Sequence, residues 1–219
     1  MRLHPEETEA GPWRRVDDHE LRALLTRLLT PGRGVLLVDG RSGGGKSTFA
    51  ERAAALLSGV VVHSDDLAWH HDPVAWDGLA VDHVIEPWRR GKEVDYRPPG
   101  WVARGRDGSV TVPADVGVIV LEGVGAGRAS LAAHADAVVW VQSDRDEARE
   151  RGLRRDVELG RTREEAERFW DEWMSAEEPF LAHDRPWDRA VLLVNASAAE
   201  WAADRTTLAP GPRSSDLPR

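Results

Sequence analysis

The chain has 219 residues, a formal net charge of −9 and no cysteine. This length suits one α/β domain with a small insertion, whereas two large domains would be a tight fit. The negative charge argues against a general nucleic-acid or anionic-membrane surface, and the lack of cysteine excludes disulfides, thiolate catalysis and sulfur-ligated metals. A small anion with Mg²⁺ is the partner that these properties favour.

No segment approaches the ~20 apolar residues of a membrane span, and residues 1–13 contain no apolar run followed by a cleavage site. We therefore expect a cytoplasmic protein with no membrane partner, and the sequence leaves a homo-oligomer open. We expect a flexible leader over residues 1–16, a single domain over 17–196 and a disordered tail over 197–219, which is rich in proline and serine near its end.

The first predicted helix follows the polar residues 17–20 and ends at Pro31 and Gly32. After it, residues 34–39 form a short apolar run typical of a buried strand. Residues 40–47 then match the phosphate-binding pattern G-x-x-x-x-G-K-S without departure, and residues 47–57 have helical composition. Strand, glycine turn and helix is the order that such an anion site requires, whereas a simple glycine-rich turn is the alternative.

These residues predict a nucleotide site, with Lys46 reaching the outer phosphates and the Ser47 hydroxyl suited to Mg²⁺. The residues expected to hold the nucleotide are Gly40, Ser42, Gly43, Gly44, Gly45, Lys46, Ser47 and Thr48.

A second buried strand is predicted over residues 59–63, which are rich in valine. It delivers Asp65 and Asp66 to the carboxyl edge of a parallel sheet, where ligands of open α/β sheets bind. The pair is therefore a candidate for catalysis or Mg²⁺ binding, although an aspartate in this position can also cap a turn.

Residues 67–113 are predicted to form a small β insertion that binds an acceptor. The pattern indicates a short helix over 81–90 and strands over 94–96, 101–103 and 110–112. Most tryptophans of this segment are expected to fill the core, and one or two to contact substrate. His70 and His71 match no familiar zinc pattern.

Three more strands are predicted over residues 117–123, 137–141 and 190–195, with a helix over 129–134. Glu122 lies near the end of the strand over 117–123, as the acid of a Walker B element does, and would reach Mg²⁺. The alternative is a glutamate that only faces solvent. Strands and helices alternate, which predicts an α/β P-loop three-layer sandwich with a mostly parallel five-stranded sheet and right-handed crossovers.

An arginine-rich helix is predicted after Asp144, and residues 145–165 are interpreted as a lid. Its arginines can pair with acids on a solvated helix face or close over a transferring phosphoryl group. The next helix is predicted over 162–181, capped by Thr162 and Glu165 and bent or ended by Pro179.

The chain resembles the uridine kinase and phosphoribulokinase branch of P-loop kinases, which also includes pantothenate kinase. The resemblance spans residues 34–195. It rests on the segments 40–47, 64–66, 72–77, 94–96, 118–123 and 151–161, which occur in the order of that family.

The resemblance implies an ATP- and Mg²⁺-dependent kinase of a small hydroxylated acceptor, with a nucleoside of uridine or cytidine type as first candidate. It implies Asp65 as the base, with Asp66 the less favoured choice, and Ser47, Glu122 and Asp65 around the metal. Acceptor contacts would come from Asp77 and Tyr96, and catalytic cations from Lys46, Arg151, Arg155 and Arg161. Asp66, Trp69 and Trp101 are further candidate acceptor contacts.

The sequence departs from the family where acceptor identity is set. Residues 67–69 replace an aromatic pair, and the histidine expected after Tyr96 is missing. A pantothenate-like compound, a sugar acid or a hydroxylated antibiotic therefore stays open as acceptor. A nucleotide-dependent switch ATPase is the alternative from another functional class.

Overall fold

The structure is a computed structural model that describes residues 1–197 and 205–214. Its strands, within these ranges, are β1 (Arg14–Asp17), β2 (Gly34–Gly40), β3 (Val60–His63), β4 (Val94–Tyr96), β5 (Val110–Val112), β6 (Val118–Glu122), β7 (Ala137–Gln142), β8 (Leu192–Asn195) and β9 (Arg205–Pro210). Its α-helices are α1 (Asp18–Leu28), α2 (Lys46–Leu57), α3 (Ser64–Leu67), α4 (Asp77–Ala80), α5 (Glu86–Arg89), α6 (Pro99–Arg104), α7 (Ala129–Ala132), α8 (Arg145–Glu158) and α9 (Arg163–Asp184).

The central sheet has the strand order β1-β9-β8-β7-β2-β6-β3. The five strands predicted from sequence run parallel to one another, as the α/β pattern requires. In the described part of the chain two further strands, β9 and β1, extend one edge in antiparallel orientation. The sheet therefore has seven strands instead of the predicted five, and its parallel part brings the strand ends at residues 40, 63, 122 and 142 to one edge.

The two additional strands come from segments that were expected to be a leader and a tail. Glu7 lies buried in the leader and accepts hydrogen bonds from Trp140 Nε1 at 2.6 Å and Gln142 Nε2 at 2.9 Å. The expectation of a flexible leader was wrong, because the Glu7 carboxylate pairs with the buried side-chain donors of Trp140 and Gln142 in β7.

The tail expectation was also wrong for β9, whose residues 206–209 are buried between β1 and β8. Residues 198–204 and 215–219 of the predicted tail lie outside the described residues.

Two apolar cores cover the two faces of the sheet. On one face, α1 and α2 pack through Leu21, Leu25 and Phe49. On the other face, the insertion packs through Trp76, Trp88 and Trp101, together with Leu181 of α9. The amphipathic patterns of these segments bury their apolar sides against the sheet and give a three-layer arrangement.

The insertion contains the predicted hairpin, in which β4 and β5 pair antiparallel. The helix predicted over 81–90 is present as a π-helical turn (Val81–Ile85) and α5, and α4 directly precedes it. The strand predicted over 101–103 was wrong, since these residues lie in α6. Pro99 at the first turn and Gly105 at φ 63°, just past the end, favour a helix here.

Helices α8 and α9 form a hairpin over the carboxyl edge of the sheet. Thr162 and Glu165 form the predicted capping box at the start of α9. Pro179 was expected to bend or end this helix. It does not end the helix, because α9 continues to Asp184 and buries Leu181 in the core. Among the described residues, no helix combines the length and the apolar character that crossing a membrane would need.

Candidate active site

The glycine-rich turn lies between β2 and α2 and supports the N-terminus of α2. Gly45 caps α2 at φ 93°, a left-handed conformation that glycine adopts without strain. Gly43 has φ 69°, and a Cβ added there would lie 2.0 Å from the carbonyl oxygen of Ala148 in α8. The turn is therefore packed directly under α8, and it leads into the N-terminus of α2, a position that suits a phosphate.

Lys46 is buried at the first position of α2, and its Nζ donates to the carbonyl oxygen of Arg41 at 3.0 Å. This contact places the ammonium group of Lys46, the predicted phosphate ligand, beside the glycine turn. Ser47 and Thr48 follow it on the exposed side of the same helical turn.

Glu122 connects the ends of β6, β3 and the glycine turn. Its Oε1 accepts a hydrogen bond from Ser47 Oγ at 3.1 Å and lies 2.6 Å from His63 Nδ1. His63 is the register partner of Glu122 across the two parallel strands, which explains the contact. Within residues 1–197 and 205–214, the buried Oε2 of Glu122 has no hydrogen-bond partner.

Glu122 and His63 each favour the charged form of the other. Burial raises the pKa of Glu122, but the hydrogen bond with His63 and the charge of Lys46 outweigh burial and hold that pKa below its ordinary value. The hydrogen bond to Glu122 in turn raises the pKa of His63. Sequence reasoning did not select His63; its position as the last residue of β3, before the aspartate pair, was the available signal.

The oxygens of Ser47 and Glu122 fit Mg²⁺ on two grounds. Both are hard donors beside the glycine turn, and the unpaired Oε2 leaves one carboxylate oxygen free to coordinate. In the part of the chain that the structure describes, no three acids or histidines gather into an all-protein metal site. The single carboxylate of Glu122 beside the Ser47 hydroxyl matches Mg²⁺, which is usually held by one or two carboxylates together with substrate phosphates.

Asp65 and Asp66 follow β3 in the short helix α3 and have different surroundings. Asp66 Oδ1 accepts a hydrogen bond from Arg106 Nη2 at 2.8 Å, and its carbonyl oxygen accepts one from Trp101 Nε1 at 2.8 Å. Asp65 is exposed. The structure therefore connects Asp66, and not Asp65, to the insertion that was predicted to bind the acceptor.

The two tryptophans proposed as acceptor contacts lie around Arg106. The Cζ atom of Arg106 is 3.6 Å from the ring centroid of Trp101 and 5.2 Å from that of Trp69. Trp101 is buried in the core, whereas Trp69 is partly buried at its edge. Arg106 was missed by sequence reasoning because it lies 40 residues from Asp66 in a loop with no motif of its own.

Asp77 accepts hydrogen bonds from Arg128 at 3.2 Å and Ser130 at 2.6 Å. Burial raises its pKa, but these contacts outweigh burial and the pKa lies below the ordinary value. Tyr96, the other predicted acceptor contact, stacks on His83 with ring centroids 4.3 Å apart and an interplanar angle of 10°. A histidine therefore does lie beside Tyr96, but it comes from the π-helical turn, a feature that often marks functional sites.

The three predicted lid arginines separate into two groups. Arg151 reaches the glycine turn, donating to the carbonyl oxygens of Gly43 and Ala196, each at 2.8 Å. Arg155 and Arg161 instead lie near the buried carboxylate of Asp156, with N–O distances of 3.2 and 3.8 Å. Of these three arginines, within the described residues, only Arg151 contacts the glycine turn.

Helix α9 supports the same turn from the other side. Glu177 is buried and accepts a hydrogen bond from the backbone N–H of Ser42 at 3.0 Å, while Trp173 Nε1 donates to Ser42 Oγ at 2.6 Å. A cavity of about 500 Å³ opens beside Ser42, between α8, α9 and residues 2–3. Glu177 and Trp173 were not selected from sequence, because helical spacing does not show which face of α9 meets the turn.

A scan against protein-family models and a sequence comparison with characterised proteins gave no match. Among solved structures, a possible uridine kinase from Bacillus stearothermophilus aligns over 80% of this chain and 96% of its own, with 20% identity and a TM-score of 0.51. The YGR205w protein aligns over 80% and 90%, with 13% identity and a TM-score of 0.51.

A protein described as a candidate fructose transport system kinase, from Silicibacter sp. TM1040, aligns over 77% and 92%, with 20% identity and a TM-score of 0.47. The similarity to the first two structures establishes the architecture. The chain shares the α/β fold of these two structures, with a mostly parallel central sheet. Sequence identities of 13% and 20% do not show which acceptor a protein binds, so the acceptor has to be inferred from the site.

Proposed function

We propose that the protein is a Mg²⁺-dependent kinase that transfers the γ-phosphoryl group of ATP to a hydroxyl of a small molecule. A nucleoside of uridine or cytidine type is the first candidate, and pantothenate-like compounds, sugar acids and hydroxylated antibiotics are the alternatives. The observation that supports this most is the position of Asp66, which binds Arg106 and lies in α3 directly after β3. The last residue of β3, His63, is the register partner of Glu122, which binds Ser47. A donor site and an acceptor site then share one sheet edge.

The donor side uses the glycine turn and Lys46 to hold the β- and γ-phosphates. Ser47 and Glu122 hold Mg²⁺, which when bound supplies charge neutralisation on the phosphate oxygens. Arg151 sits against Gly43 and adds a cation beside the turn. Its Nη2 is buried and, within the described residues, has no hydrogen-bond partner, so a donor remains for a phosphate oxygen.

On the acceptor side, we assign Asp66 the role of orienting the acceptor hydroxyl and taking its proton. The acceptor oxygen forms a bond to the γ-phosphorus, and the bond between that phosphorus and the β–γ bridging oxygen breaks. The products are a phosphomonoester, ADP and a protonated Asp66, which returns its proton to solvent. The sequence favoured Asp65 for this role; the contacts of Asp66 with the insertion motivate the change.

A screen of acceptors tests the proposal. Purified protein is incubated with Mg²⁺-ATP and, separately, with nucleosides, pantothenate, sugars and sugar acids, and ADP is measured with and without each compound. We expect at least one class to raise ADP formation and to appear with one added phosphoryl group by mass spectrometry. Equal ADP formation in every reaction, together with a protein partner that is retained only with ATP, would instead support a switch ATPase.

A further inference from the structure

Arg106 is fixed in position by its own loop. Its backbone N–H donates to the carbonyl oxygen of Trp101 at 3.0 Å, and its carbonyl oxygen accepts a hydrogen bond from Arg97 at 2.6 Å. The Cζ atom of its guanidinium lies over the Trp101 ring, 3.6 Å from the ring centroid. A cation held on an aromatic face loses little further side-chain entropy when it binds a ligand.

Most of the hydrogen-bonding capacity of Arg106 is unused. Within the described part of the chain, Nη2 donates to Asp66 while Nε and Nη1 donate to no protein acceptor. The side chains of Arg106 and Asp66 are 36% and 32% exposed, so a small molecule can reach both. A guanidinium with free, coplanar donors is suited to bidentate binding of a carboxylate or a phosphate.

The charges around Asp66 favour the same conclusion. Asp65 and Asp66 are adjacent, and an acceptor that approaches them also approaches the phosphates of the donor. An anionic group on that acceptor would be repelled unless a cation lies beside the base, and Arg106 is 2.8 Å from Asp66 Oδ1. A neutral acceptor needs no such cation, because its hydroxyl binds Asp66 through a hydrogen bond alone.

We infer that the acceptor carries a carboxylate or phosphate group close to the hydroxyl that is phosphorylated, and that Arg106 binds this group. The inference rests on the proposed kinase function and narrows its acceptor to anionic compounds. It therefore favours anionic alternatives such as sugar acids over an uncharged nucleoside. The planar donor face of Arg106 and the carboxylate of Asp66 then receive neighbouring groups of one molecule, the anion and the hydroxyl.

Pairs of acceptors that differ in one charged group test this inference. Glycerate and glycerol test a carboxylate close to the hydroxyl, and glycerol 3-phosphate and glycerol test a phosphate there. Pantothenate and pantothenol, orotidine and uridine, and ribose 5-phosphate and ribose test an anion that lies farther from the hydroxyl. Binding is measured by calorimetry with a non-hydrolysable ATP analogue and Mg²⁺, and transfer by formation of the phosphomonoester. We expect the anionic member of at least one pair to bind about 10- to 100-fold more tightly, which one or two charge-assisted hydrogen bonds would provide.

Three variants separate the role of Arg106 from that of general structure. Arg106→Gln should reduce the ratio between the two members of the responsive pair towards one, and Arg106→Lys should retain part of it. Arg104→Gln removes an exposed arginine of α6 two residues away and should leave the ratio unchanged. The thermal midpoint of each variant is measured as well. If Arg106→Gln does not fold, the ratio measured for Arg106→Lys tests the role of Arg106 instead.

The outcomes distinguish the inference from the function on which it rests. Tighter binding or faster transfer of a neutral member, with no effect of Arg106→Gln on the ratio, overturns the inference and leaves the kinase proposal standing. Failure of every anionic probe to bind the wild-type protein also overturns the inference. Failure to bind the ATP analogue, or transfer to no acceptor while ATP is hydrolysed, overturns the kinase proposal itself.

Discussion

Asp65 and Asp66 are neighbours in the chain but lie in different environments, and a matched pair of variants can separate their roles. Asp66→Asn removes the carboxylate that contacts Arg106 and faces the insertion. We expect kcat to fall by about 10²- to 10⁴-fold, the usual contribution of a positioned proton acceptor, while Asp65→Asn costs less than about tenfold. Turnover with a responsive acceptor and affinity for Mg²⁺-ATP are measured for both, and a larger loss in Asp65→Asn would return the role to Asp65.

Arg151 and Arg155 are one helical turn apart and provide a second comparison. Arg151 contacts the glycine turn, whereas Arg155 is exposed and pairs with Asp156. Arg151→Ala is expected to lower kcat/KM for ATP by about 10²-fold or more, with a much smaller loss in Arg155→Ala. Steady-state kinetics with varied ATP measures both, and equal losses would mean that the lid moves Arg155 onto the phosphates during turnover.

At this scale the sequence predicts residue type better than residue partner. The glycine turn, Lys46 and Glu122 could be selected from sequence because each belongs to a local pattern of strand, turn and helix, and they lie close together in the structure. Arg106 and His83 were missed because their partners, Asp66 and Tyr96, are reached through tertiary contacts that no spacing rule encodes.

The packing of α8 on the glycine turn is the feature at element scale on which donor binding depends. In Gly43→Ala the new Cβ would overlap the carbonyl of Ala148, and the backbone at φ 69° would be strained. We expect Mg²⁺-ATP affinity to fall at least about tenfold and unfolding free energy by about 1–3 kcal/mol.

Gly78→Ala is the matched control, because a Cβ there meets nothing within 4 Å and Gly78 lies in the helix α4. Its expected effect is neutral or slightly stabilising, since alanine favours a helix over glycine. Calorimetry of ATP-analogue binding and urea unfolding compare the two variants. Unchanged affinity in Gly43→Ala would show that α8 can retreat from the turn without consequence.

The elements themselves were largely predictable from sequence, and their exceptions have physical causes. Five parallel strands were recognised because buried parallel strands read as apolar runs. β1 and β9 were missed because an antiparallel edge pair needs a partner from the opposite end of the chain, and polar residues such as Thr206 and Thr207 are buried there. Residues 101–103 were predicted as a strand but lie in α6, where Pro99 at the first turn favours a helix.

Across the whole molecule, Asp39 links stability to pH. It is fully buried at the end of β2 and accepts hydrogen bonds from the backbone N–H groups of Gly40, Gly125 and Gly127. Burial raises its pKa from 3.8 to about 6 despite these contacts. The folded state therefore holds this proton more tightly than the unfolded state does, and the contribution of Asp39 to unfolding free energy falls as pH rises from about 4 to about 6.

The magnitude follows from about two pKa units at about 1.4 kcal/mol each, or about 3 kcal/mol. Urea unfolding of the wild type and Asp39→Asn between pH 4 and pH 7 measures it. The wild type should lose about this much stability relative to the variant over that range. A pH-independent difference between the two proteins would show that Asp39 does not titrate in this window.

The central claim is that the γ-phosphoryl group of ATP leaves for a small-molecule hydroxyl and not for water. ATP labelled at the γ-phosphate is incubated with the protein, Mg²⁺ and the acceptor that responds best in the screen, and the label is divided between phosphomonoester and inorganic phosphate. We predict that nearly all label enters the phosphomonoester, one per ADP formed, and that Lys46→Ala abolishes its appearance. Label recovered as inorganic phosphate, at a rate that no acceptor changes, would contradict the account.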